Sequence, residues 1–174
     1  MSDLFVVLIC GLPGSGKSTL AEEVAKELRL PIFSVDPIES AVIRSGIKRG
    51  PETGLAAYLV AENLAAEHLK LGQSVIIDCV SAQEVAKDMW RNLAKEHKVK
   101  LIIVECVCPD KSLYKKRIEA RVRNIHGIAE VTWDDVLKRE KEYTEWQEPK
   151  LVIDTATNHK QNFVKALEYI VQES

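Results

Sequence analysis

The chain has 174 residues, 46% of them hydrophobic and 29% charged, with 8 Gly and 6 Pro. That is the composition of one well-filled globular domain, and it excludes a disordered, collagen-like or low-complexity chain. Its 24 Lys and Arg stand against 26 Asp and Glu, a formal charge of -2, so the molecule as a whole lacks the strongly basic field of a general nucleic-acid binder.

The longest apolar run, residues 4–10, follows Asp3. It falls well short of the roughly 20 residues of a membrane span, and a signal peptide would carry Lys or Arg at that flank. A cytoplasmic protein with no membrane partner is expected. Residues 4–10 read instead as a buried strand, and the Gly-rich turn at 11–18 leads into a helix marked by Leu20, Val24 and Leu28. A weaker strand is expected at 32–35 and a mobile loop at 45–54, which holds three glycines and a proline. Leu55, Leu59, Leu64 and Leu71 then mark a helix in an Ala-rich stretch.

Further strands are expected at 75–77, 101–107 and 151–153, and helices at 82–97, 111–122, 133–143 and 159–171. Asp110 and Asn158 are suited to cap the helices that follow them, because their short side chains accept from free first-turn N–H groups. A second loop is expected at 123–131. The strand runs are rich in Val, Ile and Leu and do not alternate with polar residues, which is the pattern of parallel strands covered on both faces. Strand and helix alternate, so the expected fold is α/β: an open parallel sheet between two helical layers, with right-handed connections and ligands beyond the carboxyl ends of the strands. Cys10, Cys79, Cys106 and Cys108 lack C-x-x-C spacing and read as reduced core residues.

The strongest chemical signal is Gly11-Leu12-Pro13-Gly14-Ser15-Gly16-Lys17-Ser18, with Thr19 next. It fits G-x-x-x-x-G-K-[ST] between a strand and a helix. A chance match in a chain of this length has odds on the order of one in a hundred. Glycines let successive N–H groups point inward, and the helix adds its positive end, which makes a concave site for a chain of phosphates. Lys17 supplies a point charge to the β- and γ-phosphates, and the Ser18 hydroxyl is placed for the magnesium ion that bridges them. A nucleoside triphosphate site is expected. Asn158-His159-Lys160-Gln161 does not match the N-K-x-D of guanine-specific sites, and Asp78 is followed by Cys79 rather than by a water-activating Glu.

These motifs resemble those of the small P-loop kinases, a group that includes polynucleotide 5′-kinase domains, chloramphenicol phosphotransferase and gluconate kinase. The resemblance spans nearly the whole chain: residues 11–18, Asp36 after the second strand, Asp78 after the third, Cys108-Pro109-Asp110 after the fourth, and Arg117-x-x-x-Arg121 fall in the expected order. It implies a single domain over 1–174, a five-stranded parallel sheet in the order 2-3-1-4-5, and an Arg-bearing lid at roughly 117–135. It also implies ATP and Mg2+ as cofactors and a phosphotransferase acting on a hydroxyl of a small-molecule or nucleoside-like acceptor. Alternative readings are a polynucleotide 5′-hydroxyl kinase and a nucleotide-dependent switch whose loops at 45–54 and 123–131 order with ATP.

In the resembling kinases the position of Asp36 takes the proton from the acceptor hydroxyl, a task suited to a carboxylate within hydrogen-bond reach. The bare sequence also allows Asp36 to cap a helix starting at Pro37. Asp78 reads either as a magnesium or substrate contact, or as a cap for the helix near Ala82, a role Ser81 would serve equally well. Arg117 and Arg121, four apart on an expected helix, share a face with Arg123 close beyond, and a lid arginine there would neutralise the transferred group. The same stretch also fits a solvated helix surface. Many relatives place Arg three residues after the strand-two aspartate, whereas this chain has Glu39, which would repel a nucleic-acid phosphate and favours a small acceptor. Arg44, Lys48 and Arg49 follow it. Residues 155–159 fall where relatives hold the adenine, the four histidines show no metal or triad spacing, and the three tryptophans read as core.

Overall fold

The computed structural model describes residues 4–122 and 127–174. Five strands, β1 (Phe5–Cys10), β2 (Ile32–Ser34), β3 (Val75–Cys79), β4 (Lys100–Val107) and β5 (Lys150–Asp154), form one sheet in the order β2-β3-β1-β4-β5. Every pairing is parallel. The seven helices of the described residues are α1 (Lys17–Leu28), α2 (Val35–Arg44), α3 (Pro51–Lys70), α4 (Glu84–His97), α5 (Lys111–Ala120), α6 (Trp133–Glu142) and α7 (His159–Glu173). None of the described helices is long and apolar enough to cross a membrane.

Period-two geometry sorts the sheet's side chains into two cores. Val6, Leu8 and Cys10 of β1 pack with α3 and α4, while Val7 and Ile9 pack with α1 and α7. Each fully buried Ile or Leu contributes about 1.5–3 kcal/mol over its exposed state, so this double covering is the main hydrophobic stabilisation of the sheet. A third, smaller cluster of Cys108, Tyr114, Ile118 and Val136 joins α5 and α6 to Leu12, beyond the carboxyl edge of the sheet.

Several elements depart from expectation. The stretch 51–54 is the first turn of α3 rather than loop, because Pro51 stands at its first position and Gly50 N donates to Thr53 Oγ1 at 3.2 Å. The leucines that marked this helix are exposed, Leu55 by 55% and Leu59 by 42%. The buried stripe is Ala57, Ala61 and Ala65 with Leu69, since small residues let the helix lie close to the sheet. β2 stops at Ser34, and Val35 already belongs to α2. β3 runs on through Asp78 and Cys79, where pairing with Ile9 and Cys10 sustains it. α4 starts at Glu84 with Gln83 in the cap position, so neither Asp78 nor Ser81 caps it. Ser81 instead accepts from Trp90 Nε1 at 3.0 Å inside the core. α5 ends at Ala120, leaving Arg121 in extended backbone. Asp110 and Asn158 cap as expected, accepting from Leu113 N at 2.9 Å and from Gln161 N at 3.2 Å.

The connector from α6 to β5 is pinned by a lysine. Lys87 of α4 is fully buried; it donates to the Thr144 carbonyl and, at 2.9 Å, to Thr144 Oγ1. Its ammonium also lies 4.9 Å from the Trp146 ring centroid. Truncation would orphan a carbonyl and open a cavity. Lys87→Ala is expected to lower the unfolding free energy by about 2–4 kcal/mol, read from the urea midpoint, and Lys87→Met, which keeps the volume, by less.

Candidate functional site

The turn between β1 and α1 is built for close approach. At Gly11 (φ +146°) a Cβ would lie 2.3 Å from the Cys106 carbonyl oxygen, and at Gly14 (φ +79°) one would lie 2.4 Å from Ile118 Cδ1. Only glycine fits either place. Ser15 N donates to Leu12 O at 3.1 Å, and from below Tyr114 Oη donates to Pro13 O at 2.8 Å, tying α5 to the turn. Burial holds the Tyr114 phenol well above its ordinary pKa, so it remains a donor.

Lys17 opens α1 and is only 4% exposed. Among the described residues it enters neither an ion pair nor a hydrogen bond. A largely desolvated cation without a counter-charge is costly, and the inward-facing amides around it favour an anion at the same place. Asp78, 5% exposed near the end of β3, has its Oδ1 buried without a hydrogen-bond partner among the described residues. Ser18 and Thr19 follow Lys17 on the rim.

Two kinds of hollow meet at this turn. On the α1 side, Gly14, Gly16, Lys17, Ser18 and Thr19 line one with Arg117 and Arg121. It continues into a hollow of about 330 Å³ lined by Thr155, Thr157, His159 and Asn162. Residues 155–159 thus close the far end of the phosphate trough. Arg117 is held there by Thr155, donating to its Oγ1 at 3.0 Å and to its carbonyl at 2.7 Å. Arg121 reaches the same hollow although it is off the helix. Arg123 lies outside the described residues.

On the β2–β3 side is a cleft of about 370 Å³, a size suited to a metabolite. Asp36 lines it from the first turn of α2, one element later than its expected place at a strand edge. Pro13, Glu39, Arg49 and Arg139 are there too, with Val35, Val80, Ile128 and Val131 as apolar wall. Glu39 is oriented by Thr53, whose Oγ1 donates to its Oε1 at 2.9 Å, and by Arg49, whose Nε lies 3.8 Å away. Sequence reasoning did not single out Arg139 or Tyr58. Tyr58 lies beside the cleft with its hydroxyl accepting from Ser81 N at 3.1 Å.

Several other titratable groups are engaged within the fold. His159 pairs with Glu23 at 2.9 Å and His68 with Gln73 at 2.6 Å. Glu105, buried on β4, takes hydrogen bonds from Tyr143 Oη and an ion pair from Lys150 at 3.1 Å. The cysteines are free and buried. Burial pushes the thiols of Cys79 and Cys106 up to about 12, and that of Cys10 well above its usual value. Thiolate is therefore scarce at pH 8. Iodoacetamide at that pH is expected to leave Cys10, Cys79 and Cys106 unmodified in the native protein and to label them once urea unfolds it, as mass spectrometry would show.

An adenylyl-sulfate kinase of Thermodesulfovibrio yellowstonii is 31% identical over 137 residues, covering 72% of this chain and 68% of that protein. The APS kinase of Mycobacterium tuberculosis, solved in complex with AMPPNP and APS, superposes with a TM-score of 0.72 at 16% identity, over 97% of this chain and 98% of that one. A gluconokinase from Sinorhizobium meliloti 1021 superposes with a TM-score of 0.69 at 17% identity, over 98% and 92%. At those identities the two structures show the shared fold, and it serves kinases of different acceptors. Residues 6–145 match AAA_33, an AAA domain, so the chain belongs to that family and is an ATP-binding P-loop kinase.

Proposed function

We propose that the protein moves the γ-phosphoryl group of ATP to a hydroxyl of a small molecule bound between Asp36 and Arg139. The supporting observation is that successive residues of one turn line the two hollows, Pro13 the 370 Å³ cleft and Gly14 the nucleotide trough. A donor and an acceptor bound in them would approach each other at that turn. Gly11, Pro13, Gly14, Ser15 and Gly16 shape the cradle, with Ser18 and Thr19 on its rim. Lys17 holds the β- and γ-phosphates, and Asp36 takes the acceptor's proton. Arg117 and Arg121 face the nucleotide side, where they would hold phosphate oxygens or the nucleoside. Adenylyl sulfate, the substrate for which several relatives are named, is one acceptor to be tried here.

The buried Asp78 Oδ1, without a hydrogen-bond partner among the described residues near the end of β3, suits a hard divalent cation reached directly or through water. Ser18 and Asp78 would hold Mg2+, which when bound offsets the charge of the phosphate chain. The chain's own residues do the rest: the turn amides orient the triphosphate, Lys17 draws it inward, and Asp36 holds the departing proton.

ADP release over a panel of hydroxyl compounds, with adenylyl sulfate and a 5′-hydroxyl oligonucleotide included, tests the proposal. Strong stimulation by one small molecule is expected. Stimulation by the oligonucleotide alone, or by nothing in the panel, would overturn it.

A further inference from the structure

Arg139 lies near the end of α6, half-buried over the cleft. The spacing suggests an i,i+4 pair with Asp135 on the same helix. That partner is committed elsewhere: Asp135 Oδ2 accepts from Thr132 N at 2.9 Å and from Thr132 Oγ1 at 2.7 Å, closing the capping box that starts α6. Among the described residues Arg139 enters no ion pair and no hydrogen bond. The cleft's other arginine is matched, since Arg49 sits beside Glu39. Arg139 feels the charge of Asp135 and shares its outer hollow with Glu142, but hydrogen-bonds to neither, so its guanidinium donors are unspent.

Its position sets what it would touch. Arg139 also borders a shallower hollow shared with Val80, Tyr58, Ala82, Gln83 and Ala86, which has no part of the P-loop. It thus stands at the outer end of the cleft, whereas Pro13 marks the phosphoryl end. A half-desolvated guanidinium without a partner is costly alone and favourable against an anion that it can grip with two parallel hydrogen bonds.

We propose that Arg139 binds an anionic group of the acceptor, so that the substrate carries a carboxylate or a phosphate ester at a distance from the hydroxyl presented to Asp36. This rests on the reading of the 370 Å³ cleft as the acceptor's. Arg139 is a specificity-determining residue, and Glu39 beside Arg49 excludes a second anion from the inner part of the cleft.

The experiment is ADP release with pairs of related compounds that differ in charge: hydroxy acids beside their amides, sugar phosphates beside the free sugars, and adenylyl sulfate beside adenosine. The stimulating compound is expected in an anionic arm, and the productive arm separates carboxylate from phosphate. Arg139→Gln should raise KM for that acceptor ten- to hundredfold, with KM for ATP and the melting temperature unchanged, and Arg139→Lys should recover part of the loss. A neutral compound used as well as its anionic partner, or an Arg139→Gln enzyme with the acceptor KM of the parent, would overturn this inference and leave the kinase reading standing. No stimulation in any arm would overturn both.

Discussion

Lys17→Met is expected to cut turnover about a thousandfold without destabilising the fold. The two halves of that result have separate causes. The turnover loss follows because the ammonium is the P-loop's point charge, and donors aimed at developing negative charge in a dry site are typically worth a factor of 10²–10³ each. The stability half follows from burial, since Lys17 is 4% exposed and enters no ion pair among the described residues. Removing that charge relieves a desolvation cost, and methionine keeps the bulk. The melting temperature without nucleotide should therefore hold or rise, while the rise normally produced by added ATP shrinks. A variant that melts lower and retains its ATP-dependent shift would contradict both halves.

Asp36→Asn should lower kcat by about 10²–10⁴-fold while leaving the affinity for ATP within about twofold. Asparagine keeps the shape and the place in the first turn of α2, so the cleft's outline survives. What disappears is a group able to accept the acceptor's proton. A structural role would give the opposite pattern: a lowered melting temperature, with turnover per folded molecule intact. Calorimetric ATP titration beside steady-state kinetics separates the two, and unchanged turnover would remove Asp36 from the chemistry.

The phosphate-binding turn and the strands themselves were legible because both are written locally, whereas the strand order was legible only through the family resemblance. A contiguous motif between a Val/Ile run and a helix needs no knowledge of distant residues, and uninterrupted apolar runs mark strands covered on both faces. The acceptor side was harder to read. Asp36 was visible as a residue, but a three-residue β2 gave no sign that the chain would turn into helix at Val35. Arg139 was hidden because its spacing from Asp135 matches an ordinary surface pair, and only the capping box reveals that the Asp135 carboxylate spends its hydrogen bonds on Thr132. Its approach to Asp36 joins segments about a hundred positions apart in sequence. The packing of α3 was misleading for another reason: leucines dominate its pattern, yet contact with a sheet rewards the thinner alanine stripe. An arginine among 117, 121 and 123 was expected to close over the transferred group, and the anchorage of Arg117 on Thr155 is a long-range contact that no helical periodicity encodes.

The Lys87 clasp on Thr144 also bears on where Arg139 stands. The arginine sits five residues from that anchor and Trp133 eleven, or about 7 and 16 Å along the axis if the helical rise is extended to Thr144. Trp133 and Val136 are held in turn against α5, so the helix is moored at both ends and its guanidinium stands close to one mooring.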